Sequence, residues 1–197
     1  SLQNGIEAIE ILKNNLPNPD RVFSGVTYVG AKRTNEYSVK IGQFTRTVLD
    51  KNATNLLASL QATEFGAEIS ENIKQSVWDK MVLNVGQNAL SAITDLSAKQ
   101  MLASKHCLDI ASNILDEFEQ VANAENLFFD KSLIEKLLSN WKGGDDFHPS
   151  MWQDLRRNNR TEIDAINGAI SQLGRKHSIP TPCNNIITSL VKILEWK

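Results

Sequence analysis

The chain has 197 residues, of which 41% are hydrophobic and 22% charged, with a formal net charge of -2 and a pI of about 5.9. That balance suits a globular protein with one good core, or one domain and part of another. It excludes the clustered Lys and Arg excess of a nucleic-acid-binding surface, and no apolar run approaches the roughly 20 residues of a membrane span.

The opening Ser1-Leu2-Gln3-Asn4-Gly5 has neither the basic start nor the apolar stretch of a signal peptide. It also lacks an initiator Met, so the chain is expected to begin partway through a longer protein. Residues 5–14 suit a short helix, ended by Pro17 and Pro19. Val22–Val29 and Tyr37–Ile41 are rich in Val, Tyr, Phe and Thr and punctuated by Gly25, Gly30 and Gly42, which predicts strands. Ala31–Glu36 between them reads as a polar connection. Asn52–Gln61 is a second helical stretch, and Phe65–Ile69 a further strand.

Gly25 to Lys32 has the GxxxxG spacing of a phosphate-cradling loop, which needs Lys directly after the second Gly and then Ser or Thr. Ala31 takes the Lys position and Arg33 follows Lys32, so a hairpin is the better reading. None of the ten glycines forms a GxGxxG dinucleotide fingerprint.

Beyond residue 70 the period becomes helical. Glu71–Thr94, Ser97–Ala122 and Lys131–Trp141 carry apolar residues at helical spacing. A polar break, Lys142–Pro149, follows. Ser150 and Gln153 are placed as a capping box, Thr161 with Asp164 as another helix start ending near Ile179-Pro180, and Thr181-Pro182 as the opening of a last helix. The expected architecture is a mostly α protein: a short α/β piece over 1–70, then an all-helical domain over 71–197. Cys107 and Cys183 form no CxxC and no zinc spacing with His, so no metal is expected and a reducing, cytoplasmic setting is the default. Arg156, Arg157 and Arg160 are interleaved with Asn158, Asn159 and Glu162 and read as a solvated helix end.

Two segments can carry chemistry. In Trp78–Leu90, the residues Lys80, Asn84 and Asn88 recur every four positions, a slowly drifting polar stripe beside the apolar face of Val82, Val85, Ala89 and Ile93. A Lys and two Asn on a buried helix need partners or a polar cavity; the alternative is a surface stripe with a snorkelling Lys. In Ser150–Gly168, Ser150 can be an N-cap and Glu162 can complement a helix dipole, or both can face a ligand.

The ordered set WxKxxxNxxxN (Trp78–Asn88), SMxQD (Ser150–Asp154), TEIDxxNG (Thr161–Gly168) and IPTP (Ile179–Pro182) resembles the ketopantoate reductase family over essentially the whole chain. Leu2–Gly5 resembles the QNG turn after a late strand of that family's Rossmann domain, and Gly25–Thr27 with Gly30-Ala31 the hairpin after it. The resemblance implies a helical C-terminal domain like that of 6-phosphogluconate dehydrogenase behind the tail of a Rossmann domain. It implies NADPH-dependent reduction of 2-dehydropantoate to pantoate in pantothenate and coenzyme A synthesis. Lys80 would be general acid and substrate anchor. Asn84, Asn88, Ser150, Glu162 and Asn4 would contact substrate, and Asn4 and Glu162 would also border the cofactor. The phosphate-binding loop would lie upstream of Ser1, so the chain alone is expected to bind NADPH poorly and to be inactive. A non-catalytic helical module or a reductase of another 2-oxo acid is the alternative; a homodimer is left open, and neither membrane nor nucleic acid is expected as partner.

Overall fold

The structure is a computed structural model that describes residues 1–41, 46–63, 66–143 and 146–196, with backbone only for 31–34. The expected positions Gly42, Phe65, Gly144 and Asp145 lie outside the described residues. The chain divides into two compact units, Ser1–Val77 and Trp78–Lys197.

In the first unit, helix α1 (Ala8–Asn15) stops before Leu16, which is extended, because Pro17 bars the residue before it from the helical region. A single 3-10 turn, Pro19–Arg21, leads into strand β1 (Gly25–Thr27). Strand β1 is shorter than the expected Val22–Val29. Ser1 runs beside it, its carbonyl accepting from the Gly25 N–H at 2.8 Å. The segment 31–36 is not a connection: strands β2 (Ala31–Asn35) and β3 (Ser38–Ile41) form an antiparallel hairpin with Ala31 opposite Ile41. The hairpin therefore falls over 31–41, and β1 belongs to another sheet.

That sheet has the order β1-β4-β5. Strand β4 (Arg46–Asp50), which the sequence reading did not propose, pairs antiparallel with β1 and parallel with β5 (Gly66–Ser70), placing Val48 opposite Val26 and Glu68. Thr47, Val48 and Leu49 are all buried, so both faces of this central strand are covered, the pattern of a strand with a parallel neighbour. Helix α2 (Thr54–Gln61) makes the crossover from β4 to β5.

The second unit is helical. Helix α3 (Ile73–Thr94) begins in the first unit and supplies the second with a core face of Met81, Val82, Val85, Gly86, Ala89 and Leu90. Helices α4 (Ala98–Ala103) and α5 (Lys105–Ala124) replace the single helix expected over 97–122. Ser104 breaks it: its backbone is extended and its hydroxyl accepts from Cys107 N–H, while Ser97 and Gln100 form a capping box that starts α4. Serine competes for helical N–H groups and so favours ends over interiors.

Helix α6 (Leu133–Lys142) packs Leu137 against Gly86, where a Cβ would lie 2.8 Å from the leucine terminus. The Trp141 indole N–H donates to the Gln87 side-chain oxygen Oε1 at 2.6 Å inside the core. Helix α7 (Ser150–Arg156) is entered through Pro149, so Ser150 is its first residue and not its cap, and Gln153 donates to the His148 carbonyl instead of closing a capping box. Thr161 does not open a long helix either. A 3-10 turn, Ile163–Ala165, follows two residues on, and helix α8 (Asn167–Lys176) starts after it. Helix α9 (Pro182–Glu195) opens on Pro182. No helix among the described residues is long and apolar enough to cross a membrane.

Candidate active site

Helix α3 positions the first three candidate residues. Four residues advance a helix by about 400°, so each step along Lys80, Asn84, Asn88 rolls about 40° around the axis. The drift has a visible consequence. Lys80 and Asn84 are half-buried, whereas Asn88 has turned into the core at 2% exposure.

Burial holds the Lys80 ammonium below the ordinary lysine range, and the Glu162 carboxylate acts the other way, raising it. Glu162 immediately precedes the 3-10 turn before α8. The fold thus brings together two candidates separated by 82 positions (162 minus 80) on unlike elements. One turn beyond Lys80, the Asn84 amide nitrogen is buried with no hydrogen-bond acceptor of its own among the described residues. A buried donor without a partner costs about 1–3 kcal/mol.

Ser150 is exposed at the head of α7. Two clamps set the segment that carries it. Asp146 accepts from the Ser97 hydroxyl at 2.7 Å and the Lys99 N–H at 3.0 Å, fixing the approach to α7 on the start of α4. Asp95, at φ 62° just past α3, accepts from the Trp152 indole at 2.6 Å and pairs with Arg156. Trp152 is stacked on His148 at 4.0 Å. Arg156 is therefore tied to a carboxylate, and Arg160 lies 3.6 Å from that of Asp164, both at exposed positions. Asn4, in the first unit, is half-buried and already bonded.

Behind the site runs a buried network that the sequence reading missed. Asn167 donates to the Val85 carbonyl of α3 at 3.1 Å and to Asn184 at 3.0 Å; Asn184 donates to Glu117 of α5 at 2.8 Å. The signal for it in the sequence is Asn167, within the TEIDxxNG run.

The residues that form this helical unit match a family model described as the ketopantoate reductase PanE/ApbA C terminal over 72–195, and residues 1–53 match the companion ketopantoate reductase PanE/ApbA model. The chain belongs to the ketopantoate reductase family. It is 34% identical over 146 residues to a 2-dehydropantoate 2-reductase of Lactococcus lactis, covering 72% of this chain and 47% of that protein. With the Halobacterium salinarum 2-dehydropantoate 2-reductase it shares 26% over 203 aligned positions, covering 99% of this chain and 66% of the relative. The chain thus spans about half to two thirds of the length of the curated relatives it matches. Among solved structures, the family member from Ralstonia eutropha superposes with a TM-score of 0.87 at 30% identity over 99% of this chain and 65% of that one. A D-mandelate dehydrogenase solved with NADH and anilino(oxo)acetate does so with 0.88 at 28%, over 98% and 66%.

Proposed function

We propose that this ketopantoate reductase family chain carries the substrate-binding and proton-donating half of an NADPH-dependent 2-dehydropantoate reductase. The observation that supports it best is the grouping of a half-buried Lys80, the Asn84 amide nitrogen one turn away, buried without an acceptor among the described residues, and the Glu162 carboxylate whose field reaches the lysine. Reduction of a ketone places negative charge on its oxygen. An ammonium held there stabilises that charge and can give up a proton to it, and exclusion of water strengthens the interaction. Glu162 keeps the lysine charged against the cost of burial, so that the acid is loaded when substrate arrives. In this reading Asn84 serves the substrate face of α3, Asn88 supports it from the core, Ser150 meets the substrate carboxylate, and Glu162 accepts from a substrate hydroxyl.

No GxGxxG is present, and the β4-to-α2 junction, Asp50–Ala53, has no glycine. The contribution assigned to this chain is therefore to the ketone and its proton. The decisive assay is 2-dehydropantoate-dependent oxidation of NADPH, by this chain and by a longer protein that contains it. Turnover only in the longer protein, lost by about 100-fold or more in Lys80→Ala, is the expected result; turnover unaffected by Lys80→Ala would sink the mechanism. The likeness to D-mandelate dehydrogenase supports a second reading, a reductase of another 2-oxo acid. Faster reduction of an aryl 2-oxo acid than of 2-dehydropantoate in the same assay would favour it.

A further inference from the structure

Glu162 sits on a short loop between two elements that hold it from opposite ends. On the upstream side, one carboxylate oxygen of Glu195, in the last turn of α9, accepts from both the backbone N–H and the hydroxyl of Thr161, each at 2.7 Å. Thr161 is itself buried, and its hydroxyl oxygen also accepts from the Ile163 N–H at 3.2 Å, closing the turn around Glu162. On the downstream side, Asn167 is bonded to the Val85 carbonyl of α3, the helix that carries Lys80. Ile163 and Ile166, between the two anchors, are fully buried. Glu162 is thus suspended between α9 and α3.

We infer that Glu195 is a positioning residue: through Thr161 it sets where the Glu162 carboxylate lies relative to the Lys80 ammonium. The inference rests on the reading of Lys80 and Glu162 as the reacting pair. It assigns a role to the last turn of α9, where Glu195 holds Thr161. Two hydrogen bonds converging on one ionised oxygen are stronger than neutral ones and fix direction as well as distance. The chemistry depends on that geometry, since the electrostatic effect of a carboxylate on an ammonium falls with separation. Asp79, the carboxylate beside Lys80 on α3, is engaged by Lys136 of α6 at 2.7 Å. Among the described residues, Glu162 is the charged group whose field raises the lysine.

The test is the titration of Lys80 in the 197-residue chain, read by NMR of 13C-methylated lysines, with the Lys80 signal assigned by its loss in Lys80→Arg. It needs neither cofactor nor substrate, so failure of the reductase reading and failure of this inference are separately visible. In Glu195→Ala, Lys80 should titrate at lower pH than in the parent, as it should in Glu162→Gln, and the double variant should fall no further than Glu162→Gln alone. Glu195→Gln keeps an accepting oxygen and should leave Lys80 unmoved. Should Glu195→Ala not fold, Glu195→Asp, which keeps the charge but shortens the reach, should lower the Lys80 titration in its place. A lysine unmoved in the folded Ala or Asp variant, or moved equally by Gln and Ala, would overturn the inference: the first makes Glu195 a structural anchor only, the second a remote charge.

Discussion

The carboxylate of Glu117 on α5 accepts twice from Asn184, from its backbone N–H at 2.9 Å and its side-chain amide at 2.8 Å. The other oxygen accepts from the Cys183 N–H at 2.8 Å. Pro182 is the first residue of α9 and brings no N–H, so the two that follow it are open donors, and a buried glutamate from another helix satisfies both. The same carboxylate pushes the Cys183 thiol up, after burial as the larger cause. Glu117→Ala should destabilise the chain by about 3 kcal/mol or more, because it strands several buried donors at once. Glu117→Gln, which can still accept on one oxygen, should cost less. Urea unfolding of the two variants would show it; equal and small losses would mean the network is solvated.

Two glycines should respond differently to alanine. A Cβ on Gly174 would meet the Ile179 carbonyl at 2.8 Å and the Thr181 methyl at 2.7 Å, whereas one on Gly86 would meet the end of the Leu137 side chain. A backbone oxygen cannot step aside as a leucine methyl can. Gly174→Ala should lose about 1–3 kcal/mol. Gly86→Ala should change by less than about 1 kcal/mol, since the helix gains propensity of about that size. Thermal unfolding of the pair distinguishes them.

Asp146 governs an acid-sensitive contact. The Ser97 hydroxyl, then the Lys99 N–H, hold its carboxyl below the usual carboxylate range. A folded pKa below the unfolded value of 3.8 means that the native state binds fewer protons. The stabilisation is therefore complete above that unfolded value and disappears as pH falls through the lower folded one. The difference in melting temperature between the parent and Asp146→Asn should be present at neutral pH and shrink below pH 3.8. A difference that persists unchanged in acid would show that the charge is not what holds the loop.

Lys80 should leave a mark on the alkaline limb of catalysis. An acid works only while protonated, and burial lowers this lysine. In a longer protein with reductase activity, kcat/KM should therefore decline with an apparent pKa below the ordinary lysine value of 10.5, and Glu162→Gln should move that limb further down. A limb that is unmoved by Glu162→Gln would detach the carboxylate from the acid.

Periodicity was enough to place α3 within two residues, and the Thr181-Pro182 pair located the start of α9, because a long amphipathic run and a proline at the first helical turn are local signals. The motif order was legible as a resemblance, and the family matches agree with it. Strand β4 was not legible. Its run Thr47-Val48-Leu49 is covered on both faces, so it lacks the alternation that marks a half-buried strand. The break at Ser104 was hidden inside a continuous apolar period, since a cap depends on backbone direction and not on hydrophobicity.

By itself, then, the sequence determined the helical second unit, the Lys80–Asn84 stripe and the family. Tertiary structure decided which polar residues meet. The charge of Glu162 acting on Lys80, the bonds of Glu195 to Thr161 and those of Glu117 beneath α9 all join residues far apart in the chain. Nothing in local spacing encodes them: a carboxylate's partner is chosen by which helix ends the packed core brings within hydrogen-bond reach.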